Sequence, residues 1–176
     1  MLQQFISKLN WRQILIHFIA FCFFIFAFTT LSFLYDTKLI DAVRNPNPQN
    51  ASRYIFENGV FDSSKSPYFL WVGFSGLAGL LVAFIISLTI TARQRWFRIN
   101  AVVTLVITFL LYRGNLLGWS YLKNFFWFLG QRFENTTIEF LLNGLILIAL
   151  GLLTFFGKKQ NRFINYKPVK VCTESH

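Results

Sequence analysis

Four stretches of the chain are apolar almost without interruption. Ile14 to Leu34 holds no charged residue and only His17 near its start. Phe69 to Thr91 holds none, Ile99 to Tyr112 is charge-free but short, and Ile138 to Phe156 carries only Glu139 at its edge. A helix crosses the hydrocarbon core with roughly 20 apolar residues, so the first, second and fourth runs are long enough as they stand. The run from Ile99 reaches that length if it begins at Trp96 and Arg98 snorkels to the headgroups. The pattern predicts an all-α, polytopic membrane protein with transmembrane helices at 14–34, 67–91, 96–113 and 137–156. An outer loop at 35–66, an interfacial amphipathic helix at 115–131 and a basic tail at 157–176 complete a single membrane domain.

One of these runs keeps a thin stripe of small residues. Ser75, Gly79, Ala83 and Ser87 recur every four positions, and that spacing keeps them on one helical face. In lipid no hydrophobic effect draws helices together, so close packing falls to small side chains. The stripe is therefore a helix-packing face, widened by Gly73 and Gly76. It serves either the bundle itself or contact with a partner protein.

Local signals set the helix ends. Asn10 followed by Gln13, and Thr136 followed by Glu139, have capping-box spacing before the first and fourth helices. Ser66-Pro67 supplies an N-cap and a proline at the first position of the second helix. Gly157, followed by Lys158 and Lys159, closes the fourth. The linker between the second and third helices is so short that those two must be antiparallel neighbours. The first apolar run exceeds the roughly 7–15 residues of a signal-peptide core, and no small-residue cleavage site follows it, which points to a retained helix.

Charge adds orientation. The net charge is +10. Lys8, Arg12, Arg93, Arg95, Arg98, Lys158, Lys159, Arg162, Lys167 and Lys170 fall on one side of the predicted membrane, with Glu174 as the single acid there. Lys38, Arg44, Arg53, Lys65, Arg113, Lys123 and Arg132 fall on the other, against the remaining six acids. The positive-inside rule then places both termini in the cytoplasm. The same excess suits anionic lipid and is a topology signal, not a nucleic-acid footprint. The Phe-, Asn- and Ile-rich composition suggests an AT-rich genome and a bacterial cytoplasmic membrane. In that setting the sequons at Asn50 and Asn135 carry no meaning.

Two further segments read as surface elements. In Asn115 to Gln131, Leu117, Tyr121, Leu122, Phe125, Phe128 and Leu129 share one helical face, while Ser120, Lys123, Asn124 and Gln131 share the other. This suits a helix lying in the outer interface, with a re-entrant segment as the rival. Leu2, Phe5, Ile6 and Leu9 form a shorter stripe at the N-terminus.

Candidate chemistry is sparse. Cys22 and Cys172 cannot form a disulfide framework, and with no CxxC or His/Cys cluster neither a metal nor a dithiol centre is expected. Arg113 precedes Gly114-Asn115 and reads as a helix C-terminus; deeper in the membrane it would be a functional charge. Glu139 could pair with it. Asn143, one turn from Glu139 on the same face, is the strongest polar misfit. With Thr29, Thr30, Ser75, Thr104 and Thr108 it could form an outer-half polar layer, as interhelical hydrogen-bond glue or as a binding pocket. His17 reads as a satisfied interfacial residue. No catalytic residue and no cofactor is expected.

Known four-helix families are not matched. Small multidrug transporters carry a carboxylate in the first helix, claudins and tetraspanins carry outer-loop cysteines, and neither feature occurs. The expected function is a non-catalytic accessory or assembly subunit of a larger membrane complex, such as a bacterial export, sorting or polymer-handling system. Its partners would be lipid and another membrane protein or a second copy, with no nucleic acid. A small transporter or channel, and an outer-face enzyme acting on lipid or peptide, are the alternatives.

Overall fold

The computed structural model describes residues 9–36, 67–114, 116–117, 135–157 and 164. The outer loop, the 115–131 segment apart from Leu116 and Leu117, and the N-terminal stripe apart from Leu9 lie outside the described residues. Within them the chain is all-helical. Helix α1 spans Trp11–Ser32 and runs into a 3-10 turn, Phe33–Asp36; α2 is Pro67–Arg93, α3 is Ile99–Arg113 and α4 is Thr136–Phe156. Three of the four are long and apolar enough to cross a membrane, and α3 is a shorter apolar helix.

Contacts at the two ends show alternating directions. Near the start of α1, Gln13 meets Thr91 of α2, and His17 meets Phe155 of α4. At its other end Phe33 stacks on Phe140, and Tyr35 on Trp71. The bundle thus has a near end, carrying the start of α1 and the α2–α3 turn, and a far end, where α2 and α4 begin.

Helix α1 is the hub and packs against all three other helices. It is apolar all round, the pattern of a helix that must be enclosed. Ala20, Phe21 and Ala27 are fully buried, with Phe24 and Ile25 nearly so. Only Trp11, Leu15 and Ile19 form an outward stripe along α1. The other helices turn Leu81, Ile85, Val106, Leu110, Leu145 and Leu153 outward, side chains as comfortable in lipid as in protein.

Glycines let the backbones approach. A Cβ added at Gly79 would lie 2.5 Å from the Phe24 carbonyl oxygen of α1 and 3.1 Å from the Phe28 Cβ. On α4 the equivalent clashes are with Leu31 at Gly144, 2.5 Å, and with the Phe24 ring at Gly151, 2.8 Å. Helix α1 is therefore gripped by Gly79 on one side and by two glycines seven residues apart on the other. Ser75, Ala83 and Ser87 are buried along with Gly79. Gly76 packs beneath Tyr112 of α3. Gly73 differs from the expectation: it is exposed, and a Cβ there would meet nothing within 4 Å.

The caps also differ in detail. Asn10 caps α1, its side chain accepting from the Gln13 N–H, but the Gln13 side chain does not reach back. It is drawn into the bundle instead. Helix α4 is capped by Asn135, whose side-chain oxygen accepts from Thr137 and Ile138 N–H. Thr136 is already the first helical residue.

The α2–α3 turn fixes where α3 can begin. Arg95 adopts φ 54°, in the left-handed region. Its N–H donates to the Ala92 carbonyl, and the Trp96 N–H reaches back to Thr91. This is the left-handed cap usually given to glycine, and an L-side chain there costs roughly 1–2 kcal/mol. The turn throws Trp96 back onto the core. Helix α3 consequently starts at Ile99, not Trp96, and its 15 residues span about 22 Å.

Candidate functional site: buried polar clusters at the two ends of the bundle

The near end holds a hydrogen-bonded cluster built from three pairs at helical spacing. Gln13 and His17 lie one turn apart on α1, Ser87 and Thr91 on α2, and Asn100 and Thr104 on α3; all six are buried. The Gln13 Nε2 donates to Thr91 Oγ1 at 3.1 Å. Its Oε1 accepts from Asn100 Nδ2 at 2.7 Å. Asn100 Oδ1 in turn accepts from the Asn10 N–H at 3.3 Å. The Asn10 side chain donates to the Ile164 carbonyl at 3.1 Å, bringing a buried residue beyond α4 onto the start of α1. One turn deeper, His17 Nδ1 and Ser87 Oγ are 2.7 Å apart, the donor being set by the imidazole tautomer.

Aromatic rings close this cluster. Phe155 meets the His17 ring edge-on at 5.3 Å, and Trp96 lies tilted at 6.3 Å. His17 is thus a core residue of the bundle, 1% exposed. A serine hydroxyl against an imidazole is the geometry of an activated nucleophile. Here, however, Ser87 is fully buried within the last two turns of α2. A substrate could reach its oxygen only by prising α2 from α1. The arrangement binds helices together.

The far end is different. Glu139 and Asn143 lie one turn apart on α4, each 1% exposed. Neither the amide nitrogen nor the oxygen of Asn143 has a hydrogen-bond partner. A buried amide left so costs about 1–3 kcal/mol. Arg113, at the end of α3, is exposed, so it and Glu139 occupy unlike surroundings.

Two threonines of the expected outer polar layer bond within their own helix. Thr108 Oγ1 donates to the Thr104 carbonyl and Thr104 Oγ1 to the Asn100 carbonyl, both at 2.7 Å. Such i−4 bonds turn the hydroxyls into their own helix. Ser32 Oγ likewise donates to the Thr29 carbonyl. The near-end cluster is what sequence reasoning missed. Its signal was present, since each of three helices carries two polar residues four apart at the same end. No group of three His, Cys, Asp or Glu able to hold a metal occurs among the described residues. No family model, curated protein or solved structure matches the chain.

Proposed function

We propose that the chain is a non-catalytic accessory or assembly subunit of a larger membrane complex, set in a bacterial cytoplasmic membrane with both termini in the cytoplasm. The near-end cluster supports this reading. Its polar side chains bond to one another across α1, α2 and α3 and hold the helices in one arrangement. A bundle locked in this way is suited to presenting fixed outer surfaces. The charge asymmetry supports the orientation.

The test is mutual dependence in the native membrane. Cross-linking should yield one stoichiometric membrane partner, and deleting that partner should deplete this chain. Glu139 and Asn143 favour a second reading, a small transporter, because a carboxyl and an amide lie buried together in an apolar helix. A chain that is stable alone, and moves a solute in proteoliposomes in a Glu139-dependent way, would replace the first reading with the second.

A further inference from the structure

The α2–α3 turn carries three arginine side chains that helix packing does not explain. Arg93 ends α2, Arg95 occupies the left-handed cap, and Arg98 precedes α3. All three side chains are exposed. Trp96 is anchored in the core, while Phe97 between the arginines is 38% exposed. Glycine would hold the Arg95 backbone without strain, yet an arginine stands there.

We propose that this turn binds the phosphate of an anionic phospholipid, with Arg95 as its central contact. The turn is five residues long and joins two apolar helices, so its guanidinium groups are held within reach of the headgroup layer, which is some 5–8 Å deep on each side. Arginine is matched to phosphate oxygens, which it can grip through two parallel hydrogen bonds. The exposed Phe97 ring suits the boundary between headgroups and acyl chains. The only described acids, Asp36 and Glu139, lie at the far end, so no described carboxylate stands near these arginines. A strained backbone kept beside three exposed cations fits the storage of strain at a binding site.

The experiment compares the full-length wild type with Arg95→Gly in nanodiscs of phosphatidylcholine, with and without phosphatidylglycerol. Lipid retained after extraction is read by native mass spectrometry, and unfolding by heating. In pure phosphatidylcholine Arg95→Gly should melt higher than wild type, because the strain is gone. With phosphatidylglycerol present it should retain about fivefold less of that lipid and lose the lipid-dependent rise in melting temperature. Arg98→Gln should also retain less, without the gain in phosphatidylcholine. Equal phosphatidylglycerol retention by wild type and Arg95→Gly overturns the proposal. So does equal retention of the two lipids by wild type. Displacement of phosphatidylglycerol by soluble polyglutamate, with tighter binding of the polymer, would overturn it in favour of an acidic polypeptide.

Discussion

At the scale of single residues, the two ends of the bundle make opposite demands on their polar groups. Gln13 uses both ends of its amide, donating to Thr91 and accepting from Asn100. Gln13→Ala would leave a buried Asn100 donor without its acceptor, and a cost of about 1–3 kcal/mol is expected in detergent unfolding. Asn143 should behave in the reverse sense. Its amide is buried without partners, and leucine has the same branched arrangement of side-chain heavy atoms and no such requirement. Asn143→Leu should therefore raise stability by about 1 kcal/mol or more. A destabilised Asn143→Leu would mean that the amide is bonded in the membrane. The His17–Ser87 contact, at 2.7 Å, is as short as the Gln13–Asn100 bond, but membrane hydrogen bonds average only about 0.6 kcal/mol. A double-mutant cycle on that pair should stay below about 2 kcal/mol.

At the scale of elements, the contrast between two glycines of α2 isolates what holds the helices together. Gly79 faces the α1 backbone and Gly73 faces open space. The Phe24 carbonyl cannot rotate away from an added methyl, so α1 and α2 must part along several turns. Gly79→Ala should cost about 1–3 kcal/mol. Gly73→Ala should be neutral or stabilising by up to about 1 kcal/mol, since it only improves helix propensity. Thermal melts of the two variants in one detergent make the comparison. Similar melts would place the α1–α2 contact elsewhere. The stripe of small residues was legible in the sequence, but that Gly79 packs within the bundle, on α1, was not. The Gly144 and Gly151 pair was not singled out, because a seven-residue spacing in an apolar run acquires meaning only beside a partner helix.

At the scale of the molecule, the alternating helices put Gln94 and Gly157 at one end of the bundle and Asn135 at the other. With Cys172 replaced by serine, and Cys22 already buried, single cysteines at or just past these positions report which side each end faces. Impermeant thiol reagent on intact cells should label Asn135→Cys and spare Gln94→Cys and Gln160→Cys. The reverse would turn the protein over in the membrane without changing its fold. Labelling of all three would contradict the four-helix reading itself.

Some of this was determined by the sequence alone. Apolar runs of spanning length, with charges confined between them, dictate helices that cross a bilayer, because lipid offers no partner to an unpaired backbone group. Helix number and the short α2–α3 turn follow from those runs. Partnership across helices is another matter. Gln13 looked like a capping residue, His17 an interfacial one, and Thr104 and Thr108 interhelical hydrogen-bond glue or the lining of a pocket, because each was judged by its own neighbours in sequence. Only the packing of α1 at the centre decided that Gln13 and His17 turn inward to α2 and α3. The physical reason is distance along the chain: the bonds from Gln13 and His17 join residues 78, 87 and 70 positions apart, and no local pattern encodes them. The left-handed Arg95 belongs to the same class, because nothing in Gln94-Arg95-Trp96 announces a glycine's conformation until Trp96 is seen packed against His17.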